Sequence, residues 1–354
     1  MNRRKFLGTS ASLFATVSVG GSYLGVALPA SAQVGGARRE VMVGGRRVKT
    51  VDVHSHTIIR GAMELIGETT PENNELLVIG PDRIRRMDEL GIDVEVLSIN
   101  PFWYGLDYVA ARRVIEYQNE SLAEVCAAYP DRLIGLATVA LQHPELAAEQ
   151  LEAGINTYGL HGVAVGGSVA GEEFASPRFD TFWAKVEALG APMFIHPQGV
   201  PGLSRLGGNG YLTNVIGNPL DTTIALSHLI FEGVLDRFPG LKIVAAHGGG
   251  YLASYADRSD NGCRNFPVRC DKTIQKRPTE YLKQMYFDSL VFTGEALRHL
   301  VVQYGGDHIM IGSDYPYAWT SRPVDHILET PGLSDTDKAA ILGCNALELF
   351  GISA

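Results

Sequence analysis

Short apolar runs, most of them followed by a stretch of helical periodicity, recur eight times along this chain. The runs are Lys49–His54, Asp93–Ile99, Leu133–Val139, Gly162–Val165, Pro192–His196, Lys242–His247, Met285–Leu290 and Ile309–Asp314. Each reads as a buried strand, and the first, fifth, sixth and eighth end on polar residues. Helical stretches fall at Pro81–Leu90, Tyr108–Ala128, Pro144–Leu151, Phe179–Leu189, Thr222–Arg237 and Gly294–Tyr304. Ser334–Leu349 makes a closing helix, with Ser334 placed to cap it and Asp335 and Asp337 putting negative charge in its first turn. Eightfold strand–helix alternation predicts an α/β chain folded as a TIM-like (β/α)8 barrel rather than an open doubly wound sheet. No GxGxxG turn follows the first strand, which weighs against a dinucleotide site. The Gly-rich segment Pro197–Pro219 is either a lid over the barrel mouth or a solvated insertion.

Polar groups gather where these runs end. His54 and His56, His196, His247 and Asp314 close the first, fifth, sixth and eighth strands. Barrels of this kind build their active sites at those C-terminal strand ends. Alternate residues of a strand share a face, so Asp52, His54 and His56 point the same way. A His-x-His pair on one face can grip one ion, and imidazole plus carboxylate suits zinc or another first-row divalent metal. Any one of these residues alone would read as a satisfied structural group, and a lone His-x-His is common by chance. Five together at four strand ends point to a metal centre. Phe102-Trp103-Tyr104 after the second strand is expected to face the mouth, with Phe102 and Trp103 as an aromatic wall for a planar substrate; the alternative is a packed loop.

The first 32 residues read as an export leader. Asn2-Arg3-Arg4-Lys5-Phe6-Leu7 is a twin-arginine pattern, a mildly apolar stretch follows from Leu13 to Leu28, and Ala30-Ser31-Ala32 supplies a small-x-small cleavage site. A mature chain of residues 33–354, periplasmic or secreted, is then one barrel domain. Losing Arg3, Arg4 and Lys5 and no acids takes the formal charge from −9 to −12. So acidic a chain, without a basic cluster, is not expected to bind nucleic acid, or a membrane once the leader is gone. None of the four cysteines forms a CxxC pair, which weighs against a thiolate metal site. Cys126 and Cys344 lie in helical stretches and are expected to be packed. Cys263 and Cys270 share a Gly- and Arg-containing loop, and in an exported protein they either pair locally or stay free.

With these residues in place, the chain resembles the amidohydrolase superfamily. The resemblance is narrowest to the branch of 2-amino-3-carboxymuconate 6-semialdehyde decarboxylase and related aromatic-acid decarboxylases. It rests on Val51-Asp52-Val53-His54-Ser55-His56, Met193-Phe194-Ile195-His196-Pro197 and Ala246-His247-Gly248-Gly249-Gly250. Tyr286-Phe287-Asp288-Ser289, Ile311-Gly312-Ser313-Asp314-Tyr315-Pro316 and Tyr129-Pro130-Asp131-Arg132-Leu133 complete it. It spans roughly Lys49 to Phe350. The resemblance implies a barrel of the metal-dependent hydrolase type in which His54, His56, His196 and Asp314 hold one divalent metal. Zinc is expected and manganese is the alternative, with no organic cofactor. His247 matches a histidine that stands beside the metal without ligating it strongly; His247 and Asp314 are then the catalytic acid–base candidates. Arg258 matches an arginine that reaches into the neighbouring subunit's site to hold a substrate carboxylate, which implies a homodimer.

The implied reaction is decarboxylation of an aromatic or unsaturated carboxylic acid. Hydrolysis of a lactone, ester or amide is the second reading, and hydration of a carbon–carbon double bond the third. No position for a carboxylated lysine is evident, which disfavours a binuclear hydrolase. A secreted binding protein without turnover is disfavoured by the presence of all five polar residues.

Overall fold

The computed structural model describes residues 37–67, 74–200, 202–208, 211–270 and 272–353. The leader predicted over residues 1–32 and its cleavage site lie outside them. Eight parallel strands occupy the predicted windows: β1 Val51–His56, β2 Val94–Ser98, β3 Leu133–Gly135, β4 Val163–Val165, β5 Pro192–Ile195, β6 Lys242–Ala245, β7 Tyr286–Asp288 and β8 Ile309–Met310. β1 to β3 pair in order, as do β4 to β8. Parallel bridges between Ala137 and Val163 and between Asp52 and Ile311 join the two sets into a closed barrel. A short antiparallel hairpin, Met42–Val43 with Arg46–Arg47, precedes it. Val, Ile and Leu dominate the strands because helices cover them outside while side chains fill the interior, so both faces are buried.

Several helices match the periodic stretches closely. Pro81–Leu90, Tyr108–Ala128 and Gly294–Tyr304 have the predicted bounds, and Asp107 caps the second by accepting from the Ala110 amide at 2.9 Å. The predicted Thr222–Arg237 is two helices, Asn218–Phe231 and Val234–Arg237, parted at Gly233, whose φ of 71° no helix sustains. Ser334 does cap the closing helix, through the Asp337 amide at 3.0 Å. That helix then widens into a π turn at Ala340–Cys344 before resuming as Asn345–Phe350. Gly343 sits against β1 so tightly that a Cβ there would lie 1.8 Å from the Lys49 carbonyl oxygen.

Two expectations are corrected here. The stretch expected to be a loop around Cys263 is largely the helix Leu252–Asn265, which also carries Arg258. It lacks a long apolar stripe, burying only Leu252, Ala253 and Ala256, so periodicity does not reveal it. Its last turn is fastened to Pro267–Arg269 by a Cys263–Cys270 disulfide with the Cα atoms 5.4 Å apart. Cys126 is half-buried as a packed residue would be, but Cys344 is exposed. Pro197–Pro219 is anchored in part: Leu206 is buried, the Gln198 amide donates to Asp221 at 3.0 Å, and the Gln198 side chain donates to the Asn100 carbonyl at 3.0 Å.

Candidate active site

β1 turns Asp52, His54 and His56 toward the barrel axis, as strand alternation requires. His54 Nδ1 lies 2.6 Å from Asp288 Oδ2 at the end of β7. His56 Nδ1 lies 2.9 Å from Ser98 Oγ at the end of β2. The Asp288 carboxylate accepts, so His54 carries its proton on Nδ1. Ser98 Oγ faces the Ser55 carbonyl at 3.4 Å, to which it can donate only, so it accepts from His56. Each ring thus presents a bare Nε2 to the centre. Those two nitrogens are 3.1 Å apart, and Asp314 Oδ1 is 2.8 Å from one and 3.2 Å from the other. His196, just past β5, is buried with both ring nitrogens unpartnered among the described residues. Ligand atoms of His54, His56, His196 and Asp314 all fall within 4.8 Å of one another.

Lone pairs converging at such distances repel unless a cation sits among them, and three imidazoles with one carboxylate fit a divalent first-row metal. The electrostatics agree. Burial works against a charge on His54, but Asp314 and Asp288 outweigh it and carry the imidazole up to about 10. Burial pushes His56 down to about 4 despite Asp314, and burial with the neighbouring rings drives His196 well below the usual range. Burial would raise Asp314, yet His54, His247 and His56 hold it far below an ordinary carboxylate. One positive charge is wanted here, and the cage accommodates no more than one proton comfortably.

Asp288 is the residue that sequence reasoning passed over. Besides His54 it accepts from the His247 and Gly248 amides, both at 2.8 Å, and from the Leu290 amide at 3.0 Å. Burial would raise its pKa, but the His54 hydrogen bond leads the contacts that hold it below the usual range. It is an acid inside the seventh apolar run, Met285–Leu290, and a carboxylate in a buried run was the signal available. Asp52 plays a related part, accepting from the His54 and Ser313 amides at 3.1 Å each, while burial and Glu95 push it up to about 7.

Backbone strain concentrates at the same spot. His247 and Asp314 have φ of 56° and 59°, in the left-handed region that non-glycine residues avoid. The Asp288 carboxylate pins the first, and the Asp314 amide donates to the His54 carbonyl at 2.8 Å to pin the second. His247 stands outside the four-ligand cluster. Its Nε2 is 3.8 Å from Asp314 Oδ2, its Nδ1 is unpartnered, and at 13% its side chain is more open than those of His54, His56 and Asp314.

The other predicted site residues are dispersed. Phe102 is fully buried and stacks on Tyr104 at 5.7 Å, so it is core and not a wall of the mouth. The reason is that Tyr104 turns inward to accept the Gly166 amide at 3.1 Å and draws the neighbouring ring with it. Trp103 is half-buried with its indole N–H donating to Gln118 at 2.9 Å. Arg258 is exposed on its helix and has no hydrogen-bond or ion-pair partner among the described residues. Tyr317, not singled out from the sequence, places its ring 5.7 Å from that of His56 and is 46% exposed.

Comparison with known proteins matches residues 51–352 to a family described as amidohydrolase. A 2-amino-3-carboxymuconate-6-semialdehyde decarboxylase of Dictyostelium discoideum is 34% identical over 278 residues, covering 77% of each chain. A gamma-resorcylate decarboxylase of Polaromonas sp. is 30% identical over 300 residues, covering 79% of this chain and 90% of the relative. Among solved structures, a dihydroxybenzoic acid decarboxylase from Polaromonas sp. with bound manganese and the inhibitor 2-nitroresorcinol superposes with a TM-score of 0.75 at 26% identity. That superposition covers 86% of this chain and 97% of the other.

Proposed function

The chain belongs to the amidohydrolase family, and from that membership we propose that it is a metal-dependent, cofactor-free decarboxylase of an aromatic or unsaturated carboxylic acid. The observation that carries this reading is the buried cluster of His54, His56, His196 and Asp314 at the barrel mouth, with His247 beside it, in a chain similar to decarboxylases along most of its length. Zinc is the first assignment, on the imidazole-rich donor set. Manganese is the alternative, supported by the ion in the Polaromonas structure.

A bound divalent cation supplies a fixed positive charge and Lewis-acid polarisation where the substrate's anionic oxygens collect. The chain's own groups do the rest. Asp288 and Ser98 hold His54 and His56 in the tautomer that leaves Nε2 free. His247 is the group placed to carry the proton, with the ionised Asp314 carboxylate 3.8 Å from its Nε2. That proton is delivered to the ring carbon bearing the carboxylate. The bond from that carbon to the carboxyl carbon then breaks, CO2 leaves, and the bonding electrons return to the ring, so one proton replaces one CO2. Arg258 from a second copy would hold the substrate's carboxylate, making a homodimer the working unit; its exposure and its lack of a partner among the described residues support this. Export by the twin-arginine route rests on Arg3, Arg4 and the Ala30-Ser31-Ala32 site. The Cys263–Cys270 disulfide favours an oxidising compartment.

The test uses mature protein of measured metal content and a panel of hydroxybenzoates, muconate semialdehydes, lactones and esters. CO2 released from an acid, lost on chelation and restored by zinc or manganese, supports the decarboxylase. Proton release from a lactone or ester without CO2 transfers the same residues to a hydrolase.

A further inference from the structure

We propose that Arg83 is the positioning residue of the metal centre, one buried guanidinium setting the two segments that carry His56 and Asp314. Arg83 lies on the helix Pro81–Leu90 and is 3% exposed. Its Nε donates to Glu95 at 2.6 Å, which satisfies its charge. Its remaining donors go elsewhere. Nη1 donates to the His56 carbonyl at 2.6 Å and Nη2 to Ser55 Oγ. Its plane lies over the Tyr315 ring, 4.6 Å from the centroid, with Arg86 4.8 Å from the same ring.

These contacts converge on the seam where the barrel closes. The His56 amide donates to the Tyr315 carbonyl at 2.7 Å, and Ser55 bridges Tyr315 in parallel. The His56 backbone is therefore held on both sides of its Cα, the N–H by Tyr315 and the C=O by Arg83. Tyr315 in turn adjoins Asp314, whose left-handed backbone has to be held in place. A buried guanidinium needs partners for its other N–H groups whatever its role, so hydrogen bonds beyond Glu95 are not in themselves the distinction. What distinguishes this arginine is that two of its three donor nitrogens and its flat face all land on ligand-bearing segments. Lysine cannot reproduce that, since an ammonium offers neither the fork nor the plane.

The inference rests on the metal-centre reading, and the experiment separates the two. Zinc affinity is measured by chelator competition on the full mature chain, alongside thermal melts, for wild type, Arg83→Lys, Glu95→Gln and Ser55→Ala. Wild type that binds no zinc refutes the metal centre itself. With wild type binding, Arg83→Lys is expected to weaken the affinity by about 10- to 100-fold, as loss of groups that orient ligands does. Glu95→Gln lowers the melting temperature but should hold zinc within about threefold of wild type, because the grip on His56 survives. Equal affinity in wild type and Arg83→Lys, or equal losses in Arg83→Lys and Glu95→Gln, overturns the proposal. Should Arg83→Lys fail to fold, Ser55→Ala decides. It removes one anchor with little change in volume, and unchanged zinc affinity there counts against a positioning role.

Discussion

Replacing Asp288 by Asn changes one atom in a buried carboxylate, and the geometry makes its consequences unusually specific. Oδ2 receives His54 Nδ1 at 2.6 Å and the His247 amide at 2.8 Å, while Oδ1 receives the amides of Gly248 at 2.8 Å and Leu290 at 3.0 Å. An asparagine keeps one acceptor oxygen, so whichever way it is turned, one pair of donors meets an NH2 group. If the oxygen stays with Gly248 and Leu290, the amide faces His54 and forces its proton onto Nε2, the atom meant for the metal. If it turns the other way, His54 and the His247 amide keep their acceptor, and the Gly248 and Leu290 amides lose theirs. A hydrogen bond to a charged group contributes about 1.5–3 kcal/mol, which is about 10- to 100-fold in an equilibrium constant. Loss of an outer partner of a metal-bound histidine is expected to weaken binding over the same range. Chelator competition with zinc and with manganese measures this directly, with urea unfolding of the metal-free proteins run in parallel. Asp288→Asn should bind metal about 10- to 100-fold more weakly while remaining folded. Binding within about twofold of wild type would mean that neither the His54 tautomer nor the Gly248 and Leu290 contacts of Asp288 matter to the metal, and the argument would fail.

Metal binding near pH 7 should release one proton. His54, carried up to about 10, is the ligand that holds one there, whereas His56, brought down to about 4, and His196 are already neutral and Asp314 already ionised. Calorimetry in buffers of different ionisation enthalpy counts it, and a count near zero or two contradicts the charge assignment. The same His54 gives the metal-free protein a sign to check. Its raised pKa contributes stability that is fully present below about 6.5 and is lost as pH rises through about 10, so the metal-free melting temperature should fall over that interval. His247→Ala should abolish CO2 release while metal stays near one per chain; loss of the metal would make His247 a ligand. Replacing Cys263 and Cys270 together by Ser opens a short loop and should cost about 2 kcal/mol by denaturant unfolding, with metal content unchanged.

What could be foreseen from the chain follows the range of the signal. Alternating apolar runs and helical periods are local, so the eight strands and helices such as Tyr108–Ala128 were legible residue by residue. The four clustered donors were legible as a set, because one polar residue at a strand end reads as structural while several at the ends of different strands do not. Partnerships across the barrel are a different matter. Asp288 is separated from His54 by 234 positions, and nothing in either neighbourhood names the other. Phe102 failed for the opposite reason, since an aromatic after a strand end looks the same whether the loop opens to the mouth or folds onto Tyr104. The helix Leu252–Asn265 escaped because its buried side is two alanines and a leucine, too narrow for a stripe.

These misses share a cause that bears on how the site works. The donors themselves occupy predictable positions, but their orientation is set by groups that sequence order scatters: Asp288 on β7, Ser98 on β2, and Arg83 on the helix before β2. Asp288 meets His54 only once the barrel has closed between β1 and β8, whereas Ser98 and Arg83 meet His56 within the neighbouring β1–β2 unit. The left-handed backbone of Asp314 belongs to that closure, held by the His54 carbonyl, while that of His247 is held by Asp288 on the adjacent strand. Such residues cost about 1–3 kcal/mol each in strain, and only a folded barrel offers the partners that offset it. Metal affinity in this chain is accordingly a property of the closed barrel as much as of its four donors, and substitutions at the seam should weaken binding without touching a ligand.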